Sequence, residues 1–188
     1  MKKYLILTLV LVAGFLSAQM LTNDPSHSRL GFGATHLMIS TVEGNFTDFT
    51  VNLAFSKEDM SDAKFTVKAK TASIDTGVEA RNKHLKSADF FDVEKFPELK
   101  FVSTSITKVI GNQFALEGDL TLHGVTKKVT LKMMYNGNVF DDKSKERRYG
   151  FTITGNINKN DFGVGTSFPE AVVGNKIAIV SNLEFVKK

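Results

Sequence analysis

The sequence predicts an all-β domain: an eight-stranded antiparallel, lipocalin-like barrel with one short helix capping an end. Three observations carry that expectation. Apolar and polar residues alternate with a period of two in about eight separate runs. Only the segment at about Val78–Ala88 has helical spacing, with Val78, Arg81, Leu85 and Ala88 sharing a face. One short helix cannot cover eight apolar strand faces, so the sheet has to cover itself as a barrel or a sandwich.

The runs follow in order. Leu30, Phe32, Ala34, His36 and Met38 fall on one face of the first, and Phe49, Val51, Leu53 and Phe55 on one face of the second. Phe46 is out of phase with the second run, which predicts a bulge near Asp48. Phe65, Val67 and Ala69 mark the third, whose other face carries Lys64, Thr66, Lys68 and Lys70, the pattern of a sheet wet on one side. A long connection from Ala72 to Thr104 then turns at Thr76-Gly77, passes through the helix and the Phe90-Phe91 pair, and re-enters a strand with Leu99, Phe101 and Ser103 on one face. A connection of that length in a compact domain is usually either functional or a sign of a misassigned element, and its own helix and apolar residues read as a structured cap. Phe114, Leu116, Gly118, Leu120 and Leu122 form the fifth run, which turns at His123-Gly124 into a sixth with Val125, Val129, Leu131, Met133 and Tyr135. A charged hairpin tip, DDKSKERR, precedes the seventh (Tyr149, Phe151, Ile153, Gly155, Ile157). Ile177, Ile179, Leu183 and Phe185 mark the eighth.

The first residues, MKKYLILTLVLVAGFLSAQ, have two lysines, an apolar stretch and then Ser17-Ala18. That order predicts a secretory signal peptide over 1–18, leaving 19–188 as one exported domain. The apolar stretch is shorter than the roughly 20 residues a membrane span needs, so no transmembrane segment is expected in the mature chain. The net charge of +4 falls further without Lys2 and Lys3, and no basic stripe of the kind that binds nucleic acid is present. The absence of cysteine excludes disulfides, cysteine metal sites and thiol catalysis.

An eight-stranded barrel is just wide enough to be packed solid or to hold one small ligand. Sixteen phenylalanines and no tryptophan make its inward rows bulky and apolar. Small residues break those rows at Ala34, Ala69, Ser103, Gly118, Gly155 and Ser181, which leaves a channel or fits a taper. His36, polar on an inward row, either borders a cavity or is a hydrogen-bonded core residue. Phe32, Phe101, Leu120 and Phe151 are the candidates to line a lumen. The four histidines have no metal-ligand spacing and there is no GxSxG elbow, so no catalytic residue, metal site or cofactor is expected.

Four blocks carry a family resemblance: PSHSRLGFGATHL (25–37), the long connection with SIDTG, Arg81-x-x-His84-Leu85, Phe90-Phe91 and FPELKFVST, then GDLTLHGVTKKV (118–129) and NKNDFGV (158–164). With these the chain resembles the YceI-like family of periplasmic polyisoprenoid-binding proteins. It departs where the family often has Arg-Asp, here Arg81-Asn82, and Asn-Arg, here Asn158-Lys159. The second change keeps the charge but loses the planar fork.

The resemblance implies a barrel that holds a long-chain isoprenoid or fatty lipid in its lumen, without catalysis, for storage or transport in the periplasm. It adds Phe162 to the lining. The helix and the aromatic pair, with Arg81, His84, Leu85, Phe90 and Phe91, are expected to close one end of the barrel. Arg81 then either meets a phosphate head group or pairs with a carboxylate such as Asp75 and pins the loop. The alternative function is an exported stress or interaction protein with a packed barrel. A homodimer is compatible with either.

Overall fold

The computed structural model describes residues 19–187. The expected signal peptide, 1–18, lies outside them. Eleven strands and one helix follow in order: β1 (Gln19–Thr22), β2 (Arg29–His36), β3 (Ser40–Phe46), β4 (Phe49–Phe55), β5 (Lys64–Lys70), β6 (Ile74–Asp75), α1 (Glu79–Lys86), β7 (Glu98–Ile110), β8 (Gln113–Leu122), β9 (Val125–Asp141), β10 (Glu146–Asn158) and β11 (Val173–Lys187). All pairings are antiparallel, in the order β1-β4-β5-β7-β8-β9-β10-β11-β2-β3-β6.

The expected bulge near Asp48 is instead a bend that divides two strands. Phe46 ends β3, Thr47 and Asp48 turn the chain, and Phe49 begins β4, so the change of phase marks a change of neighbours. β3 pairs with β2, and β4 pairs with β5. The facing run bends in the same place through a 3₁₀ turn at Thr71–Ser73 and continues as β6 beside β3. Across the bend the Thr47 N–H donates to the Ser73 carbonyl at 3.1 Å, and the Lys70 N–H donates to the Asp48 carbonyl at 3.0 Å. Residues 45–54 and 64–75 therefore stay paired across the bend, so the run β3–β4 has β2 beside its first half and β5 beside its second and brings the sheet round on itself as a barrel, with β1 and β6 as its short end strands. With each bent run counted once, eight long strands circle the barrel. The additions to the expected set are β1, which lies along β4 at one rim, and the short segments β3 and β6.

The turn expected at His123-Gly124 joins β8 to β9 with φ of 52° and 74°. A two-residue hairpin turn of this hand needs positive φ at both places, which glycine meets without strain. The helix is shorter than expected, starting after Val78 and stopping where Ser87 turns extended. None of its residues is fully buried; half-buried Leu85 packs against the core, and Arg81 and Asn82 tie the helix to the segment before it.

Two ends can be distinguished. The lower end holds the start of β2, the β9–β10 hairpin and the end of β11. Its core is solid: Phe151 lies 5.4 Å from Phe65, 5.7 Å from Phe185 and 5.1 Å from Tyr135, centroid to centroid, and Phe55 lies 5.3 Å from Tyr149. Phe65, Phe151 and Phe185 are at most 1% exposed. Arg148 closes this end outside the core, its Nη1 donating to Glu184 at 2.6 Å and to Asp24 at 3.2 Å. The upper end carries the long connection, α1 and the 3₁₀ turn Lys159–Phe162.

Candidate functional site

Large side chains do not fill the middle and upper barrel, because several lie flat against glycines. Phe32 on β2 faces Gly44 on β3 directly across the ladder. A Cβ at Gly44 would strike the Phe32 ring, one at Gly118 would strike the Phe101 ring, and one at Gly155 would strike Leu131. The missing side chain lets each large group fold onto the wall and leave the axis open.

Two apolar cavities result, of about 90 and 100 Å³. The inner one is bounded by Phe101, Leu116, Leu120, Leu131, Ile153 and Leu183, and Ser181, whose buried hydroxyl has no hydrogen-bond partner, also lines it. The outer one lies under the cap, with Leu85, Phe90 and Phe91 as its roof and Ala34, Val164 and Ile177 among its walls. Phe32, Phe46, Leu99, Ile157 and Ile179 border both cavities. Each is smaller than the cavity of about 150 Å³ that takes up one benzene, so a long chain enters only if wall side chains rotate.

The residues singled out from the sequence divide between several places. Phe32 borders both cavities, Phe101 and Leu120 the inner one, and Leu85, Phe90 and Phe91 the outer one. Phe151 belongs to the lower plug, and Phe162 is 1% exposed within the core, bordering neither cavity. His36, expected on an inward row, is exposed: it ends β2 past the rim, where in-phase positions no longer have a lumen to face. Arg81 donates from Nε to Thr76 Oγ1 and from Nη2 to the Thr76 carbonyl, both at 2.8 Å. Asn82 completes that pin, accepting from the Thr76 N–H at 2.8 Å and donating to Asp75 at 2.8 Å. The expected loop pin thus exists, but Arg81 reaches Thr76 and Asn82 is the partner of Asp75. His84 is exposed, its Nε2 3.0 Å from Asp89 and its ring edge-on to Phe90.

Sequence reasoning missed Phe168, which stacks on Phe90 at 4.7 Å and backs the roof. It also missed Lys159, a 3%-exposed lysine bordering the outer cavity. Lys159 sits in a 3₁₀ turn without periodicity, where only the family comparison drew notice to it. Asp24, His27 and Glu184 make a cluster of metal-ligand type at the lower end. Arg148 already supplies positive charge to both carboxylates there. The His27 hydrogen bond, with the Ser26 N–H and Arg148, holds the Asp24 carboxyl below the usual carboxylate range against a smaller opposing push from burial.

Comparison with known proteins places this architecture among relatives. The family model of the YceI-like domain matches residues 21–185. A UPF0312 protein of Pseudomonas putida is 40% identical over 141 residues, covering 75% of this chain and 73% of its own. Protein YceI of Salmonella newport is 36% identical over 88% of this chain and 84% of its own. Among solved structures, Burkholderia cenocepacia BcnA superposes with a TM-score of 0.78 at 24% identity, covering 86% of this chain and 98% of its own. A polyisoprenoid binding domain from Saccharophagus degradans, implicated in plant cell wall breakdown, superposes with a TM-score of 0.65 at 12% identity, covering 92% and 100%. At those identities the two structures speak for the fold alone.

Proposed function

The chain belongs to the YceI-like domain family, and on that premise we propose that it binds one long-chain isoprenoid or fatty lipid inside its barrel, for storage or transport, without catalysis. The observation that carries the reading is the pair of apolar cavities along the barrel axis under an aromatic roof. An apolar chain gains about 0.8 kcal/mol per buried CH₂, so a lumen with few polar groups can bind by length alone. A neighbour that shares this fold is named a polyisoprenoid binding domain, and the proposed ligand is of that class. Export is supported by the lysine-led apolar start of the chain and its Ser17-Ala18, and the periplasm as its destination rests on the family. No helix among the described residues is long and apolar enough to cross a membrane.

Mass spectrometry of an organic extract from protein purified without detergent tests the proposal. A stoichiometric isoprenoid or fatty lipid is expected. A second reading, an exported interaction protein with a packed barrel, is favoured by the small cavity volumes. That reading predicts an empty extract and no uptake of added lipid, and this outcome overturns the first.

A further inference from the structure

We infer that Lys159 anchors an anionic group of the bound lipid, so that the outer cavity selects acidic lipids over neutral ones with the same chain. The inference deepens the lipid-binding reading and rests on it. Lys159 borders the outer cavity with its aliphatic stem, and its ammonium lies just behind that apolar lining. Its Nζ donates to the Gly165 carbonyl at 2.8 Å and to Asn160 Oδ1 at 3.1 Å. Both acceptors are neutral, and an ammonium has three hydrogens to give, so one donor is left over. Among the described residues no carboxylate lies within ion-pair distance of it, although surface lysines such as Lys70, Lys127 and Lys128 all have such partners. The carboxylate that acts on it at longer range is Glu170. Burial pushes the Lys159 ammonium below its usual range, as expected for a cation without a counter-ion.

A structural pin does not need this charge. A neutral donor would hold the Gly165 carbonyl at less desolvation cost. A cation with a spare donor, just behind the wall of an apolar chamber roofed by Leu85, Phe90 and Phe91, can meet a carboxylate or phosphate at the end of a lipid chain once wall side chains rotate to admit it. The shared walls Phe32, Phe46, Leu99, Ile157 and Ile179 lead from there to the inner cavity. The tail would therefore lie deep in the barrel and the head under the cap.

The test uses two matched pairs, oleic acid with oleyl alcohol and geranylgeranyl phosphate with geranylgeraniol, titrated into delipidated protein. In at least one pair the acid should bind about tenfold or more tightly than the alcohol, the effect of one charge-assisted hydrogen bond in a dry site. The pair that shows the preference identifies the head as carboxylate or phosphate. Lys159→Met should abolish the preference and leave the alcohol's affinity within about twofold, since no charge is lost from its contacts, while Lys159→Arg should keep the preference. Equal binding of acid and alcohol in both pairs overturns the inference and leaves lipid binding intact. Equal weakening of both by Lys159→Met makes Lys159 a pin and likewise overturns it. Failure of all four ligands to bind wild type removes the lipid reading and the inference together. If Lys159→Met does not fold, lysine-selective NMR of wild type decides: the Lys159 Nζ resonance should move with the acid and not with the alcohol, and an unmoved resonance overturns the inference.

Discussion

The lower barrel is solid and the upper barrel is hollow, although alternating rows of the same residue types line both. Below, Phe65, Phe151, Phe185 and Tyr135 project toward one another and meet edge-on or tilted at 5.1–6.1 Å. Above, Phe32 and Phe101 lie against Gly44 and Gly118 and leave the axis empty. Aromatic content therefore does not decide whether a barrel is filled. What decides it is whether the residue beside each ring has a side chain to hold it off the wall.

The largest expected effect is in the plug. Phe151→Ala should lower stability by about 3–5 kcal/mol, read by urea unfolding, because three neighbouring rings lose contact and the void cannot collapse. A loss below about 1 kcal/mol would show that the lower half is as loosely filled as the upper. Next comes conversion of hollow into solid. Gly118→Val would place a side chain where the Phe101 ring lies and 2.6 Å from the Val102 carbonyl. It should cost about 1–3 kcal/mol by overpacking and push Phe101 into the inner cavity. Lipid uptake should fall sharply in that variant. Unchanged uptake would mean the inner cavity is not part of the binding path.

The charged latch outside the plug gives a pH signature. Asp24 is held below the ordinary carboxylate range in the folded protein. Its contribution is therefore complete above about pH 4 and disappears as pH falls through the lower folded value. Asp24→Asn should cost about 1–2 kcal/mol at pH 7, and the gap between wild type and variant should shrink toward zero under acid. A gap that stays constant down to pH 2 would rule out the carboxylate as its source. The smallest effect belongs to the cap. Arg81→Ala removes two hydrogen bonds to Thr76 on a half-buried surface, worth about 1 kcal/mol, and should weaken acidic and neutral lipids to the same small degree. Weakening of the acid alone would move head-group recognition from Lys159 to Arg81.

The candidate site was partly legible. Phe32, Phe101 and Leu120 follow from alternation, and Leu85, Phe90 and Phe91 from a connection too long to be idle, and all six border a cavity. The small inward residues were visible but not their separate uses. Gly118 and Gly155 accommodate large side chains. Ser181 lines the inner cavity and leaves a buried hydroxyl without a partner. Ser103 accepts the Phe65 N–H at 2.9 Å beside a shift in the β7–β8 register, so it repairs the ladder. Lys159 carried no local signal, since a lysine in a polar turn reads as exposed.

Taken alone, the sequence determined the all-β class, the eight runs that become long strands, and the single helix in the long connection. Each of these rests on spacing within about ten residues, and a period of two or of 3.6 is a local property of the backbone. The tertiary structure decided the closure through the bends at Thr47-Asp48 and Thr71–Ser73, the exposure of His36 beyond the rim, the partner of Arg81, the burial of Lys159 and the division into plug and cavities. These depend on which residue of a distant strand stands opposite, and one position of register exchanges a wall for a void.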